Sequence, residues 1–193
     1  TGVGTINQTL INTTTAPATL EYTVTPTSGN CSGAPFTITV TVNPTPTTLG
    51  LTNQTYCNAV ITNPIVFTNA VTGTSYTWTN SNTAIGLAAS GTGNIPVFTP
   101  TNGGTAPIIA NISVIATANG CSRVAETFTI TVNPSPVVTF SPTNQTICSG
   151  ETSALVNLSS TTPGATFSWT AVQPTGITGV ITSGTNTISA HNL

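Results

Sequence analysis

Apolar and polar residues alternate along several short segments of the chain. From Ile108 to Ala116 every second residue is apolar, and from Thr127 to Val132 threonine alternates with Phe, Ile and Val. A period of two indicates β-strands with one buried face. Asn119-Gly120 lies between the two segments and favours a tight turn. The pattern therefore predicts a hairpin with an apolar inner face and a threonine outer face.

A second hairpin of the same kind is predicted near the start of the chain. Leu20, Tyr22 and Val24 alternate with polar residues, a turn is expected at 28–30, and alternation resumes over residues 36–42. No segment has the 3.6-residue periodicity of a helix. Further short strands are expected at residues 47–51, 55–57, 65–67, 75–79, 85–88 and 95–99.

Internal repeats organise the chain. The sequence Val-Asn-Pro-Thr-Pro at 42–46 returns as Val-Asn-Pro-Ser-Pro at 132–136, a shift of 90 residues. Asn-Gln-Thr-Tyr-Cys at 53–57 returns as Asn-Gln-Thr-Ile-Cys at 144–148, a shift of 91. Several independent matches at one offset indicate a repeat of about 90 residues.

The Asn-Pro segments mark the boundaries between repeats, because proline lacks a backbone donor and restricts the residue before it. We interpret Pro44, Pro46, Pro134 and Pro136 as parts of short, stiff linkers. The predicted units are the C-terminal half of one repeat at 1–44, a complete repeat at 45–135 and the N-terminal part of a third at 136–193. We expect the chain to belong to a longer protein.

Seven or eight short strands in about 90 residues, separated by turns, are typical of an immunoglobulin-like sandwich. The predicted fold class is therefore all-β, with tandem immunoglobulin-like β-sandwich repeats.

Charge is nearly absent from the chain, and this excludes several functions. Only 2% of the residues are charged, against roughly 25% in an ordinary domain. A single arginine makes no basic footprint for nucleic acid, and scattered glutamates provide neither a calcium site nor a catalytic pair. No apolar run has the length of a membrane span. We expect no enzyme activity, no cofactor and no metal. The chain has 46 threonines, and threonine suits the outward-facing positions of strands.

Three motifs give the repeats a specific resemblance. They are Asn-Gln-Thr-Ile-Cys-Ser-Gly at 144–150, the aromatic-x-Trp-Thr strands at 76–79 and 167–170, and Asn-Gly-Cys-Ser at 119–122. With the closing strand that runs into Val-Asn-Pro-Ser-Pro, the chain resembles PKD-like and other Ig-like repeats of large secreted surface proteins of Bacteroidota, including gliding-motility adhesins. The Trp-Asp-Phe-Gly-Asp-Gly stretch of classical PKD domains is replaced by Trp-Thr-Asn-Ser at 78–81.

The four cysteines favour a disulfide over a zinc site, because no Cys-x-x-Cys spacing is present. The simplest pairing joins Cys57 to Cys121 and implies an oxidising, extracellular compartment. The alternative joins Cys57 to the hairpin cysteine of the next repeat, beyond residue 193, and would link neighbouring repeats.

The remaining candidate residues have structural interpretations. Trp78 and Trp169 occupy equivalent repeat positions and are expected to be core tryptophans, although a carbohydrate-stacking surface is conceivable. Arg123 and Glu126 flank one hairpin and are expected to pair at the surface. His191 is given no role.

These features predict a structural or adhesive segment of an extracellular cell-surface adhesin or filament. Its expected partners are neighbouring repeats, further copies in a filament, or surface glycans and other cells, with no nucleic acid. Two alternatives remain open: a subunit of a polymeric fibre or sheath, and an accessory carbohydrate-binding module.

Overall fold

The structure, a computed structural model, describes residues 5–190, so His191 lies outside the described residues. Its first part holds a long hairpin with a smaller one at its tip. The strands are β1 (Ala18–Val24), β2 (Thr27–Ser28), β3 (Cys31–Ser32) and β4 (Phe36–Val42). β1 and β4 pair antiparallel along their whole length, and β2 pairs with β3. The hairpin expected from the alternating pattern is confirmed.

The middle part, residues 45–135, contains one six-stranded sheet. Its strands are β5 (Gln54–Cys57), β6 (Ser75–Asn80), β7 (Ser90–Thr92), β8 (Ile108–Ala118), β9 (Cys121–Ser122) and β10 (Glu126–Asn133). The order in the sheet is β5-β10-β8-β6-β7, and β9 pairs with the end of β8. β5 runs parallel to β10, and the other pairs are antiparallel.

The inner face of this sheet forms the core because its apolar residues follow the period of two. Ala110, Ile112 and Val114 of β8 and Ile130 and Val132 of β10 are fully buried. Segments outside the sheet cover this face, and an isolated bridge between Ile65 and Ile95 joins two of them. Four of their side chains are partly buried and pack against the core: Leu49, Leu51, Ile65 and Phe98. The result is an all-β, immunoglobulin-like sandwich, as predicted.

The last part, residues 136–190, repeats part of this arrangement. Its strands are β11 (Val138–Ser141), β12 (Val156–Ser160), β13 (Ser168–Thr170), β14 (Ser183–Thr185) and β15 (Thr187–Ile188). β12 lies between β11 and β15, and β13 pairs with β14.

Four strand predictions were wrong. Residues 65–67 and 95–99 form no strands and are joined only by the isolated bridge between Ile65 and Ile95. Residues 85–88 do not form a strand: a 3-10 helix, Thr83–Ile85, ends at Gly86, whose φ of 87° lies in the left-handed region. The side chain of Asn82 starts that helix by accepting a hydrogen bond from the Ala84 amide at 3.1 Å. Residues 47–51 form no strand, and side chains bond to the backbone of this segment instead.

Candidate functional site at the repeat junctions

The linker before the middle repeat is packed against protein along its length. Pro44 and Pro46 are both fully buried. Proline has a fixed φ and needs no backbone partner, so it can be buried here without leaving an unpaired N–H group. Pro134 is also buried in the following linker, whereas Pro136 is exposed. Three of the four proline positions therefore lie inside the packed structure.

The arginine and one glutamate fasten this linker to the middle repeat. The Nε of Arg123 donates to Glu126 at 2.6 Å, and its other nitrogens donate to the Pro46 carbonyl and the Thr48 hydroxyl at 3.3 and 2.9 Å. The Glu126 carboxylate accepts the Leu49 amide, at 3.2 Å to each oxygen. The sequence predicted only a surface pair between these two residues. In the structure they pair and also bond to the segment that leads into the middle repeat.

Amide side chains make the corresponding contacts at the two ends of the middle repeat. The Asn43 Nδ2 donates to the Asn119 carbonyl at 2.9 Å, which ties the end of β4 to the turn after β8. At the other end, the Asn58 amide donates to the Asn133 carbonyl at 2.9 Å and its side chain donates to the Ser135 hydroxyl at 3.2 Å. Neutral hydrogen bonds therefore hold the chain where it enters and leaves the middle repeat.

A cleft of about 580 Å³ lies between the first hairpin and the middle repeat. It is lined by Gln8 and residues 10–12, by residues 40–43 and Thr45, and by Cys121. No titratable cluster lies in it. Across the described residues no group of His, Cys, Asp or Glu could hold a metal ion.

The predicted disulfide between Cys57 and Cys121 is not confirmed. Both residues are free thiols in the structure. Cys57 lies opposite Asn133 at one end of β10, whereas Cys121 pairs with Ala118 beyond the other end. The seven steps along β10 alone span about 23 Å, and a disulfide needs Cα atoms within about 7 Å. The alternative bond from Cys57 to a following repeat stays a prediction.

The two tryptophans lie over glycines on the neighbouring strand. Trp78 is opposite Gly91, and Trp169 is opposite Gly184. A Cβ built on Gly91 would overlap the indole of Trp78, so only glycine leaves room for the ring. Trp78 is 4% exposed and presents no free face to a sugar ring. Its Nε1 is buried and has no hydrogen-bond partner in the described part of the chain.

The Trp169 indole differs from that of Trp78 in its burial and in its hydrogen bonding. Its Nε1 donates to the Thr187 carbonyl at 2.9 Å, and the residue is only half-buried. Trp78 and Trp169 thus occupy equivalent positions in the two repeats, but Trp78 is buried and Trp169 is partly exposed.

Comparison with known proteins identifies one domain type. A family model described as a PKD-like domain matches residues 1–46. No curated protein matches the chain. The match indicates an extracellular domain with an adhesive or structural role, and this type of fold is generally non-catalytic. No helix in the described residues is both long and apolar enough to cross a membrane.

Proposed function

We propose that the chain is a spacer segment of an extracellular adhesin or filament, in which successive repeats are held in a fixed relation. The observation that carries this proposal is the junction before the middle repeat. Pro44 and Pro46 are buried in this linker. Asn43 bonds the linker to the following repeat, and Arg123 and Glu126 of that repeat bond back to the linker. A linker held in this way transmits orientation from one repeat to the next, as a free Gly/Ser linker does not.

The surface chemistry supports the same role. Threonine hydroxyls and asparagine amides replace ionic groups, and the charged residues of the middle repeat are used inside its own junction. Hydrogen bonds between hydroxyl and amide groups are less sensitive to salt than surface ion pairs are, because screening acts on charges. A secreted spacer exposed to varying ionic strength benefits from that property.

Surface labelling tests the proposed location. Antibodies raised against the chain should label intact, unpermeabilised cells that produce it, while antibodies against a cytosolic protein should label only permeabilised cells. If both antibodies label only after permeabilisation, the extracellular spacer role is wrong.

A polymerising subunit is the second candidate function, and the low charge of the chain favours it. A net charge of −2 gives little electrostatic repulsion between copies.

A further inference from the structure

The middle repeat carries its two cysteines at opposite ends of one sheet. Cys57 is the last residue of β5 and lies opposite Asn133, the last residue of β10. Cys121 follows the turn at the other end and lies opposite Ala118. The two thiols are therefore out of reach of each other, and each lies at an end of the repeat where a neighbouring repeat is joined.

The junction before the middle repeat shows how the ends of successive repeats meet. The side chain of Asn43 donates to the Asn119 carbonyl at 2.9 Å. Cys121 comes two residues after Asn119 and lines the same cleft as Asn43 and Thr45. The hairpin cysteine of a repeat thus lies beside the asparagine that follows the last strand of the repeat before it.

Asn43 and Asn133 are equivalent positions of two repeats. Residues 42–46 return at 132–136, a shift of 90. The strand registers agree as well, since β1 begins opposite Val42 and β8 begins opposite Val132. A junction built like the one before the middle repeat places Asn133 against the hairpin turn of the next repeat. Cys57 comes with it, because neighbouring strands are only about 4.8 Å apart.

We propose that a disulfide joins the β5 cysteine of one repeat to the hairpin cysteine of the repeat that follows it. In the middle repeat Cys57 bonds forward and Cys121 bonds backward. Two thiols lose two protons and two electrons, and a disulfide oxidant is reduced to two thiols. The inference rests on the proposed spacer role, because it needs successive repeats in a fixed relation and an oxidising compartment.

The other two cysteines occupy the same two positions. Cys31 pairs across a two-residue turn, as Cys121 does. The carbonyls of Cys57 and Cys148 each accept the amide three residues later, at 3.3 and 3.1 Å. Two cysteines therefore bond forward and two bond backward, always to a neighbouring repeat. By this rule no two of the four are partners of each other, which agrees with the four free thiols of the structure.

Such a bond gives each junction a second covalent connection beside the linker. The linker contacts are hydrogen bonds and one ion pair, which open and close under load. The disulfide closes a loop through both repeats, so that they stay together when those contacts open. Cys57 is exposed and accessible to an oxidant, and Cys121 is half-buried at the junction.

A chain in which residues 45–135 occur twice in succession tests the bond, because it places two complete repeats side by side. The second copy adds two cysteines to the four of the parent chain. The folded monomer is treated with oxidised glutathione, labelled with a maleimide and weighed by mass spectrometry. We expect four labels on the six cysteines of the duplicated chain, and four labels on the four cysteines of the parent chain.

Serine substitutions in one copy at a time identify the two partners. Cys57→Ser in the first copy and Cys121→Ser in the second copy should each abolish the disulfide and leave five labelled thiols. The matched controls are the same substitutions in the opposite copies, which should keep the disulfide and leave three. A disulfide that survives Cys57→Ser in the first copy contradicts the proposed pairing.

Native material gives a test that does not depend on how the duplicated chain folds. Cys57 should resist the maleimide until a reductant is added. A free Cys57 thiol in the native protein, or six labels on the duplicated chain, overturns the disulfide. Either result leaves the spacer role standing, because the linker contacts of Asn43, Arg123 and Glu126 use no thiol. A failure of surface labelling removes the spacer role and leaves the thiol count of the purified duplicated chain unchanged.

Discussion

The side-chain amide of Asn102 donates hydrogen bonds to the carbonyl oxygens of Val132, at 2.7 Å, and Ala106, at 2.9 Å. Its Oδ1 accepts the Gly104 amide at 3.0 Å. One nearly buried side chain therefore fixes the loop before β8 to the last residues of β10. Asn12 makes the same contacts 90 residues earlier, including a 2.7 Å bond to the Val42 carbonyl. This asparagine clamp is a repeated device of the fold.

Replacing Asn102 with alanine should destabilise the middle repeat. The substitution leaves the buried carbonyl of Val132 without its partner, and such a loss costs about 1–3 kcal/mol. Urea denaturation followed by tryptophan fluorescence measures it. Asn111→Ala is the matched control, because the Asn111 side chain is exposed and makes no hydrogen bond to any of the described residues. Equal stability of both variants would show that the clamp contributes nothing.

Replacing Gly91 with alanine should strain the contact with Trp78. The new Cβ would overlap the indole ring, and forcing extra volume into a packed core costs about 1–3 kcal/mol. Thermal denaturation measures the loss. Gly103→Ala is the control, because nothing lies within 4 Å of its added Cβ and its φ suits other residues. An unchanged melting temperature for Gly91→Ala would contradict the packing described for Trp78.

Replacing Glu126 with glutamine should loosen the linker while leaving the core intact. The pair with Arg123 is partly exposed, so we expect a loss of at most about 1 kcal/mol in global stability. Hydrogen exchange at the Leu49 amide should quicken several-fold, because that amide donates to the carboxylate. Glu21→Gln, in the first hairpin, should leave this exchange rate unchanged. Unaltered exchange in Glu126→Gln would mean that the linker is held without the carboxylate.

High pH should destabilise the chain through its tyrosines. Burial raises the pKa of Tyr56 and of Tyr76 above the ordinary value of 10.0. A raised pKa in the folded state favours the neutral hydroxyl, so this contribution is fully present below pH 10 and is lost as the pH rises through the folded values. Urea denaturation at pH 8, 10 and 11 checks it, and Tyr56→Phe should reduce the alkaline loss. A loss equal to that of the parent chain would show that Tyr56 is not involved.

The alternating pattern was sufficient to predict the long hairpins, because their strands bury one face and the period of two is visible in the sequence. Residues 85–88 were mistaken for a strand because an apolar run gives no sign of the Asn82 cap and the left-handed Gly86 that make a turn. Strand β7 was not predicted because glycine is unusual in strands. Gly91 is required there because the Trp78 ring on the neighbouring strand leaves no room for a side chain, and this contact is not visible in the sequence.

The two clamp asparagines could have been found from the sequence, because they follow the repeat. Asn12 and Asn102 obey the same 90-residue shift as the Ala-Pro pairs that follow them, but Thr13 and Thr14 replace Gly103 and Gly104 between them. The disulfide prediction was not confirmed, for a different reason. Cysteine spacing gives no information on which end of a sheet each residue occupies, and that required the register of β10.

We propose that repeats succeed one another in a fixed axial relation as an extracellular spacer. Electron microscopy of native material measures that relation. An unbranched thread one domain wide is expected, with beads spaced by about 40 Å, close to the length of the 11-residue strand β8. Globular particles without an axial repeat, or beads with variable spacing, would contradict it.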